Sequence, residues 1–273
     1  MIFNIIGSVL TLVMDTVLLP FRSLPSIWGL LFISMLAGLG MISIFRLTSN
    51  QEKISSLRKR MLGEVFGILL HVSSPKTVIG FAGRLIRSNT LYLLYIFKPL
   101  LVIAIPFMLI WGQLDARYGA EIADRNTHVT VTVEYGNSLS ERDEIDMVGT
   151  NIEIMPPVVM VDTLSQFSFR IIFEDDMIGS LDINGTPYTM GATGLWNGAI
   201  ILRGFDGNNA LKRLFCPWID RAVLEDDGPV SGWYSLKAVR YAVLGGHWSW
   251  LAVFLVFSSV SAIAGAKLFN VKI

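Results

Sequence analysis

Charge is the first thing that this sequence has little of. Asp, Glu, Lys and Arg make up only 16% of its 273 residues, whereas a soluble domain carries about 25% charged residues. Hydrophobic residues reach 52%, and the mean hydropathy is +0.55. This composition excludes an ordinary water-soluble protein and indicates that part of the chain lies in lipid.

Cysteine and histidine are also scarce. The lone cysteine, Cys216, cannot form an internal disulfide, and we interpret it as a small buried hydrophobic residue. The three histidines, His71, His128 and His247, are far apart in the sequence. No Cys/His cluster with metal-ligand spacing and no nucleophile motif is visible, so we expect a non-enzymatic protein without a metal or cofactor.

Long hydrophobic runs, by contrast, are present. Three of them reach the roughly 20 residues that a helix needs to cross a hydrocarbon core, and we predict transmembrane helices over residues 27–47, 90–112 and 248–266. Residues 1–25 are also apolar, but Asp15 interrupts the run. We interpret this segment as an interfacial amphipathic helix; a fourth transmembrane helix is the alternative.

The few charges are unevenly distributed along the chain. From Arg46 to Lys98, nine residues are basic and two are acidic. From Asp115 to Arg240, ten are basic and nineteen are acidic. Because basic loops stay on the cytoplasmic side of a membrane, this asymmetry predicts an orientation.

In the predicted orientation, the basic residues 48–89 and the C-terminal tail, 267–273, are cytoplasmic. The N-terminus and the acidic residues 115–245 are extracytoplasmic. The basic segment has no interleaved aromatic residues that could stack on bases, so we do not expect nucleic acid as a partner. Anionic lipid head groups are the expected neighbours of this segment.

The basic segment has the pattern of a helical hairpin. Ser74 and Pro75 break a first helix and begin a second one. We therefore predict a cytoplasmic helical hairpin over residues 48–89; the alternative is that both helices lie on the lipid head groups. The first helix is indicated by apolar residues in steps of three and four: Ile54, Leu57, Met61, Val65, Ile68 and Val72.

The second predicted span contains Lys98, Pro99 and Pro106. Lys98 would lie about eight residues, or roughly 12 Å, inside the cytoplasmic end of the span. An ionisable residue at that depth is a candidate functional residue; the alternative is a side chain that extends to the interface. Each proline frees a carbonyl of the preceding turn, so this face is expected to point at protein or a wet cavity.

Small residues recur on the first and third predicted spans. Such residues let helices approach closely, which predicts packing contacts. The hydroxyl of Ser34 is assigned instead to a polar groove, with Ser258 open to either interpretation. The predicted packing residues are Gly38, Gly40, Ser258, Ala262 and Gly265.

The acidic residues 115–245 are predicted to form a β-sandwich-like domain. Runs such as 127–135 alternate between apolar and polar residues as a half-buried strand does. Asn184–Gly185 is a strong signal for a tight hairpin turn between two strands. Three tryptophans beside this domain suit the membrane interface as anchors: Trp111, Trp248 and Trp250.

This order of segments resembles the YidC/Oxa insertase superfamily, especially its minimal three-span branch, the archaeal YidC-like proteins and the insertase subunit of the endoplasmic-reticulum membrane complex. The resemblance covers about residues 25–112 and 247–270 and includes "LTSNQ" after the first span and "ISSLRKRM" in the hairpin. It implies an open, partly hydrophilic groove that accepts a client's transmembrane segment. It also implies that Lys98 and Arg46 supply positive charge near that groove. The large acidic insertion departs from the minimal pattern.

The sequence thus predicts an α+β membrane protein with three transmembrane helices, a cytoplasmic helical hairpin and an extracytoplasmic β-sandwich-like domain. The expected function is to assist the insertion or assembly of membrane proteins. The alternative is a structural or scaffolding subunit of a larger membrane complex, with the β domain docked on its outer face. Membrane lipids and other membrane proteins are the expected partners, and the bacterial cytoplasmic (inner) membrane is the expected location.

Overall fold

A computed structural model describes residues 2–121, 127–135, 146–174, 178–194, 196–207, 210–221, 229–243 and 245–269. It contains both helices and β-sheets, which confirms the prediction of a mixed protein. Parts of the predicted β domain and the last four residues of the predicted C-terminal tail lie outside the described residues.

The described residues form six α-helices. By length and hydropathy four helical segments could each cross a membrane, which is compatible with membrane integration: Phe3–Phe21, Ser26–Thr48, Pro75–Tyr118 and Trp250–Leu268. The first segment meets this criterion as the others do, so both interpretations of residues 1–25 stay open. The helices are α1 (Ile2–Leu18), α2 (Ser26–Thr48), α3 (Gln51–Leu70), α4 (Pro75–Tyr118), α5 (Ala210–Phe215) and α6 (Trp250–Leu268).

The helix α4 is longer than the sequence pattern predicts. The predicted boundary between hairpin and span, at residues 89–90, is absent, and one helix runs from Pro75 to Tyr118. The residues around this position include neither proline nor glycine, and the helix accommodates Pro99 and Pro106 further along. Its 44 residues extend for about 66 Å, roughly twice the thickness of a hydrocarbon core. One membrane crossing therefore uses only part of α4.

The helix α3 packs against the first part of α4 in the opposite direction. Asn50 caps α3, because its side-chain oxygen accepts a hydrogen bond from the backbone N–H of Lys53 at 3.0 Å. The rings of His71 and Phe81 lie 5.5 Å apart, and Lys53 Nζ lies 5.3 Å from the ring centre of Tyr95. The end of α3 thus contacts the part of α4 near its start, and the start of α3 contacts a later part of α4. The two helices therefore form an antiparallel hairpin.

The strands form three sheets within the described residues. The largest has the order β3-β4-β1-β10-β8-β9, the second β2-β5-β6-β7 and the third β11-β12. The strands are β1 (His128–Tyr135), β2 (Met147–Thr150), β3 (Ile152–Val161), β4 (Gln166–Phe173), β5 (Ile178–Ile183), β6 (Thr186–Ala192), β7 (Ile201–Leu202), β8 (Gly204–Asp206), β9 (Ile219–Arg221), β10 (Pro229–Ser235), β11 (Arg240–Val243) and β12 (Gly246–Ser249).

The two larger sheets share one hydrophobic core. Every second residue of β1 is buried, as its alternating sequence predicts. Phe167 and Phe169 of the six-stranded sheet belong to the same buried cluster as Leu181 and Ile183 of the four-stranded sheet. Two sheets around a common core are the arrangement expected of a sandwich-like domain.

Two local features of the sheets are a tight turn at Asn184–Gly185 and a pair of prolines within one strand. Asn184 and Gly185 have positive φ angles of 53° and 84° and join β5 to β6, which confirms the predicted hairpin turn. Pro156 and Pro157 lie inside β3. β3 is an edge strand of its sheet, and an edge tolerates residues that donate no hydrogen bond.

The chain divides into two compact units. One comprises Met1–Phe32 and Leu109–Phe254 and contains α1 and the sheets. The other comprises Ile33–Met108 and Leu255–Ile273 and contains the hairpin with most of α2 and α6.

Within the helical unit, α2 and α6 touch at small residues. A Cβ added to Gly38 would overlap the backbone oxygen of Ser258. Ser261 Oγ donates a hydrogen bond to the backbone oxygen of Met35 at 2.9 Å. A Cβ on Gly265 would lie 2.8 Å from Leu39 Cδ2. The two helices therefore approach as closely as small side chains allow.

Gly38→Val should destabilise this helix pair, whereas Gly40→Val should not. Nothing lies within 4 Å of a Cβ on Gly40, and the replacement of glycine by valine changes the intrinsic helix propensity by a similar amount at both positions. Overpacking at Gly38 should cost about 1–3 kcal/mol beyond the Gly40 change. Thermal unfolding of both variants in one detergent measures the difference; equal midpoints would contradict close packing at Gly38.

Candidate functional site

A buried arginine lies at the end of α4 and holds α1 in place. The Arg117 side chain is 0% exposed, and its Nη1 lies 2.7 Å from Asp15 Oδ1 of α1. The same nitrogen donates to the backbone oxygen of Gly198 at 2.7 Å, and Nη2 donates to Gln113 Oε1 at 3.4 Å. A buried charge requires such partners, so this ion pair fixes α1 to the end of α4.

A second polar contact joins α1 to α4 one helical turn before the Asp15–Arg117 pair. Gln113 Nε2 donates to Thr11 Oγ1 at 3.1 Å. Thr11 and Asp15 are four residues apart on α1, as are Gln113 and Arg117 on α4. The two helices therefore run side by side in the same direction over this stretch, with polar groups facing each other.

The loop after β6 completes the surroundings of Arg117. The guanidinium carbon of Arg22 lies 4.6 Å from the ring centre of Trp196, and that of Arg117 lies 5.8 Å away. Asn197 Nδ2 donates to the backbone oxygen of Leu24 at 2.9 Å. The loop thereby holds the link between α1 and α2.

A cavity of about 300 Å³ opens beside this loop, and Arg117, Glu121 and Tyr241 are among its lining residues. Burial raises the pKa of Tyr241 to about 12, so its hydroxyl stays protonated at neutral pH. That hydroxyl donates to the backbone oxygen of Tyr118 at 3.4 Å. The cavity is thus lined by the cation of Arg117, the carboxylate of Glu121 and the phenol of Tyr241, and the hydroxyl of this phenol is bonded to the backbone.

Sequence reasoning missed the Asp15–Arg117 pair, because Asp15 was interpreted only as an interruption of an apolar run. The partners are about 100 residues apart, and sequence spacing alone cannot connect them. A signal existed in the matched four-residue spacing of Thr11–Asp15 and Gln113–Arg117 on two otherwise apolar helices.

In the helical unit, Glu64 joins the two helices of the hairpin. Its largely buried carboxylate lies 3.0 Å from Arg84 Nε and 3.7 Å from Arg60 Nε. From Arg46 to Lys98 the acidic residues are Glu52 and Glu64, against nine basic residues, so the hairpin segment is basic overall. Apolar side chains are also exposed around the turn of the hairpin: Leu62, Phe66, Leu69, Leu70, Val72 and Ile79.

Lys98 is an exposed residue of α4. Lys53, close to the start of α3, lies over Tyr95, which is three residues before Lys98. The predicted depth of Lys98 within a span, and the alternative of a side chain that extends to the interface, both stay predictions. Arg46, near the end of α2, is also exposed.

The two prolines of α4 lie on its packed side. Pro99 is buried, and Ile103 and Pro106, four and seven residues on, are half-buried. This agrees with the expectation that the proline face points at protein. The other sides are bare, with five side chains between 54% and 65% exposed: Phe97, Leu100, Leu101, Ile105 and Met108.

Ser34 does not line an open groove as predicted, because it is buried in the helical unit together with Ser258 and Ser261. Ala262 packs beside Ile42 and Ala266. Gly40, predicted to be a packing residue, faces open space instead.

The three predicted anchors have different environments. The rings of Trp111 and Trp250 meet edge to face with centres 5.8 Å apart. Trp250 is buried, Trp111 is exposed, and Trp248 is half-buried on β12.

The half-buried Cys216 has a pKa raised by burial, so its thiol is protonated at neutral pH.

The described residues contain no cluster of three or more His, Cys, Asp or Glu side chains that could hold a metal ion. No family model matches the chain, and no curated protein or solved structure matches it either.

Asp15→Asn should destabilise the protein, because it leaves the buried Arg117 guanidinium without a counter-charge. Breaking a buried pair costs about 3–5 kcal/mol. Since Asp15 is 34% exposed, solvent screening should reduce the loss to about 1–3 kcal/mol. Thermal unfolding in detergent measures it, and Thr16→Ala, a change at an exposed neighbour, is the control.

The double variant Asp15→Leu with Arg117→Met should recover most of the stability lost in Asp15→Asn, because it removes both charges together. If the double variant is less stable than the single one, the pair is not the contact that fixes α1.

Proposed function

We propose that this chain is an integral protein of the cytoplasmic membrane in which α2, α4 and α6 cross the bilayer. The basic hairpin is cytoplasmic and the acidic sheets are extracytoplasmic, in line with the charge asymmetry. The length of α4 supports this arrangement, since the part that packs against α3 carries most of the basic residues. The rest is long enough for one crossing.

We propose further that the protein is non-enzymatic and assists the insertion or assembly of other membrane proteins. The observation that supports this proposal is a difference in packing among the helices proposed to cross the membrane. α2 and α6 meet at small residues, whereas α4 has a wide bare apolar surface that includes Leu101 and Ile105. A client helix can pack on that surface while basic groups of the hairpin, near Lys98, approach the head groups.

The alternative is a structural subunit of a larger membrane complex. It is favoured by the edge strand β3, where Val159, Met160 and Val161 are exposed. Exposed apolar edges of sheets are common docking places for other proteins. In this case the partner on the outer face is constant, and α4 contacts the same neighbour in every molecule.

Photo-crosslinking from α4 tests these proposals. A photoreactive residue at Ile105 should capture newly made membrane proteins of several sizes, because its side chain is 65% exposed. The same residue in place of the buried Phe254 on α6, where it replaces a ring of similar size, is the matched control and should capture none.

A single product of constant size from Ile105 would favour the structural subunit. Lipid adducts alone, without protein products above the Phe254 background, would contradict both proposals.

A further inference from the structure

Exposed residues of α4 form two adjacent rows along one side of the helix. The first row has steps of seven, and each member is more than half exposed: Ile79, Ile86, Leu93 and Leu100. The second row lies four residues further on in each case: Gly83, Thr90, Phe97 and Ala104. Positions that alternate in steps of four and three share one side of a helix, as in a coiled coil. We call these eight residues together the α4 seam.

The α4 seam is opposite the side of α4 that packs against the rest of the chain. The packed side is marked by two buried and two half-buried residues: Ser88, Pro99, Leu85 and Tyr92. Each of them follows a seam residue by two positions, which is about 200° round the helix. Packing within the chain therefore leaves the seam bare from the hairpin into the predicted span.

Lipid alone does not cover the whole α4 seam. In the proposed orientation the span begins near residue 90, so Leu93 and Phe97 face acyl chains. Ile79 precedes that point by eleven residues, or about 16 Å, and Ile86 is also in the basic hairpin. A row of apolar side chains is rarely left uncovered in water, so a protein partner is expected at this part of the seam.

The partner must be a helix whose surroundings become apolar at the same level as those of α4. Arg87 and Asn89 flank the hairpin part of the seam, whereas Leu94 and Leu101 flank the span part. A client's transmembrane segment of about 20 residues covers the span part but leaves the hairpin part exposed. The α4 of a second copy, parallel and in register, has the same change at the same level by symmetry.

The charges beside the α4 seam are compatible with a second copy. In a parallel coiled coil, a residue that flanks the seam on one helix faces a flanking residue five positions earlier on the other. Arg87 of one copy thus faces Ala82 of the other, and Leu94 faces Asn89. Between residues 79 and 104, Arg87 is the only charged residue on the seam or directly beside it, so no like charges face each other.

The size and shape of the α4 seam also suit a pair of copies. Burial of seven large side chains, each more than half exposed, removes about 500 Å² of apolar surface per copy at roughly 70 Å² each. The total of about 1,000 Å² is the lower limit for a specific interface. Thr90 Oγ1 donates to the backbone oxygen of Ile86 at 3.0 Å, so its hydroxyl needs no partner across the seam. The seven side chains are Ile79, Ile86, Leu93, Leu94, Phe97, Leu100 and Leu101.

We propose that the protein forms a parallel homodimer in which the α4 seams of two copies pack against each other as a short coiled coil. The coiled coil begins in the cytoplasmic hairpin and continues into the membrane. Ile105 follows Ala104 by one residue, about 100° round the helix, so it stays open to a client. The proposal rests on the proposed membrane integration, which inserts both copies in one direction, but not on the client-binding role of α4.

Disulfide crosslinking in isolated membranes tests the dimer. Ile86→Cys and Leu100→Cys are made singly in the full chain with Cys216→Ser, and the membranes are oxidised with copper phenanthroline before electrophoresis without reductant. Equivalent seam positions of an in-register pair face each other at disulfide distance. Both variants should therefore give a product of twice the 30.3 kDa chain mass.

Ile105→Cys is the matched control for this crosslinking. Its side chain is 65% exposed, against 55% for Leu100, but it lies off the seam. It should give about fivefold less dimer, because disulfide geometry is not met there. Copies with different tags, one carrying Ile86→Cys and the other Leu100→Cys, test the register. The two positions are fourteen residues, or about 21 Å, apart along α4, so no mixed disulfide should form.

A charge on the seam should separate the copies. Ile86→Lys places two like charges opposite each other and should lower the Leu100→Cys crosslink about tenfold. Leu62→Lys adds the same charge at an exposed position of α3 and should leave the crosslink unchanged. Thermal unfolding in detergent checks that both variants are folded.

Equal dimer from Leu100→Cys and Ile105→Cys, or a mixed disulfide between positions 86 and 100, would overturn the proposal. Monomer alone, or products with other proteins only, would overturn it too, since lipid or another chain then covers the seam. Client capture by the photoreactive residue at Ile105 does not depend on the dimer. Failure of the dimer and failure of the proposed function can therefore be told apart.

Discussion

Bare apolar surface on helices is the constraint on which the rest of this structure depends. On α1, and on α4 between Leu91 and Trp111, most of the exposed side chains are hydrophobic, and many are more than half exposed. Water-soluble monomers rarely leave contiguous apolar surfaces of this extent uncovered. Helices satisfy their own backbone hydrogen bonds and can therefore place such surfaces in lipid. The small-residue contact between α2 and α6 suits the same medium, in which helices associate by close packing and not by hydrophobic burial.

Polar groups in the helices are used where helices must be held in place. The Asp15–Arg117 pair and the Thr11–Gln113 hydrogen bond turn the polar face of α1 inward. The apolar face is thereby left outward, which is what an element at a membrane surface requires. Glu64 has the corresponding role in the hairpin, where it joins α3 to α4 through Arg84. In both cases a buried or largely buried charge joins one helix to another.

Much of the architecture could be predicted from the sequence because its signals are local. Apolar periodicity located the helices of the hairpin, alternation located β1, and Asn184–Gly185 located the turn between β5 and β6. The continuity of α4 could not be predicted, because the boundary at residues 89–90 was placed where polar sequence gives way to apolar sequence, and such a change does not by itself end a helix.

The candidate site was harder to predict than the fold. Lys53 of α3 lies over Tyr95, three residues before Lys98, and sequence spacing does not show which residues of these two helices meet. Ser34 and Gly40 could not be told apart by spacing, because both are small residues on the same helix. Only the position of α6 decides that Ser34 is buried and Gly40 is not.

The central proposal, which rests on the charge asymmetry of the sequence, is that the basic hairpin and the acidic sheets lie on opposite sides of one membrane. Its most direct test is labelling of spheroplasts with a membrane-impermeant maleimide, using single cysteines at two exposed positions in a Cys216→Ser background. These are Ser73→Cys in the turn of the hairpin and Thr189→Cys on β6. The account predicts that the cysteine at 189 reacts in intact spheroplasts and that the one at 73 reacts only after permeabilisation. Reaction at 73 in intact spheroplasts, or equal reaction at both positions, would contradict it.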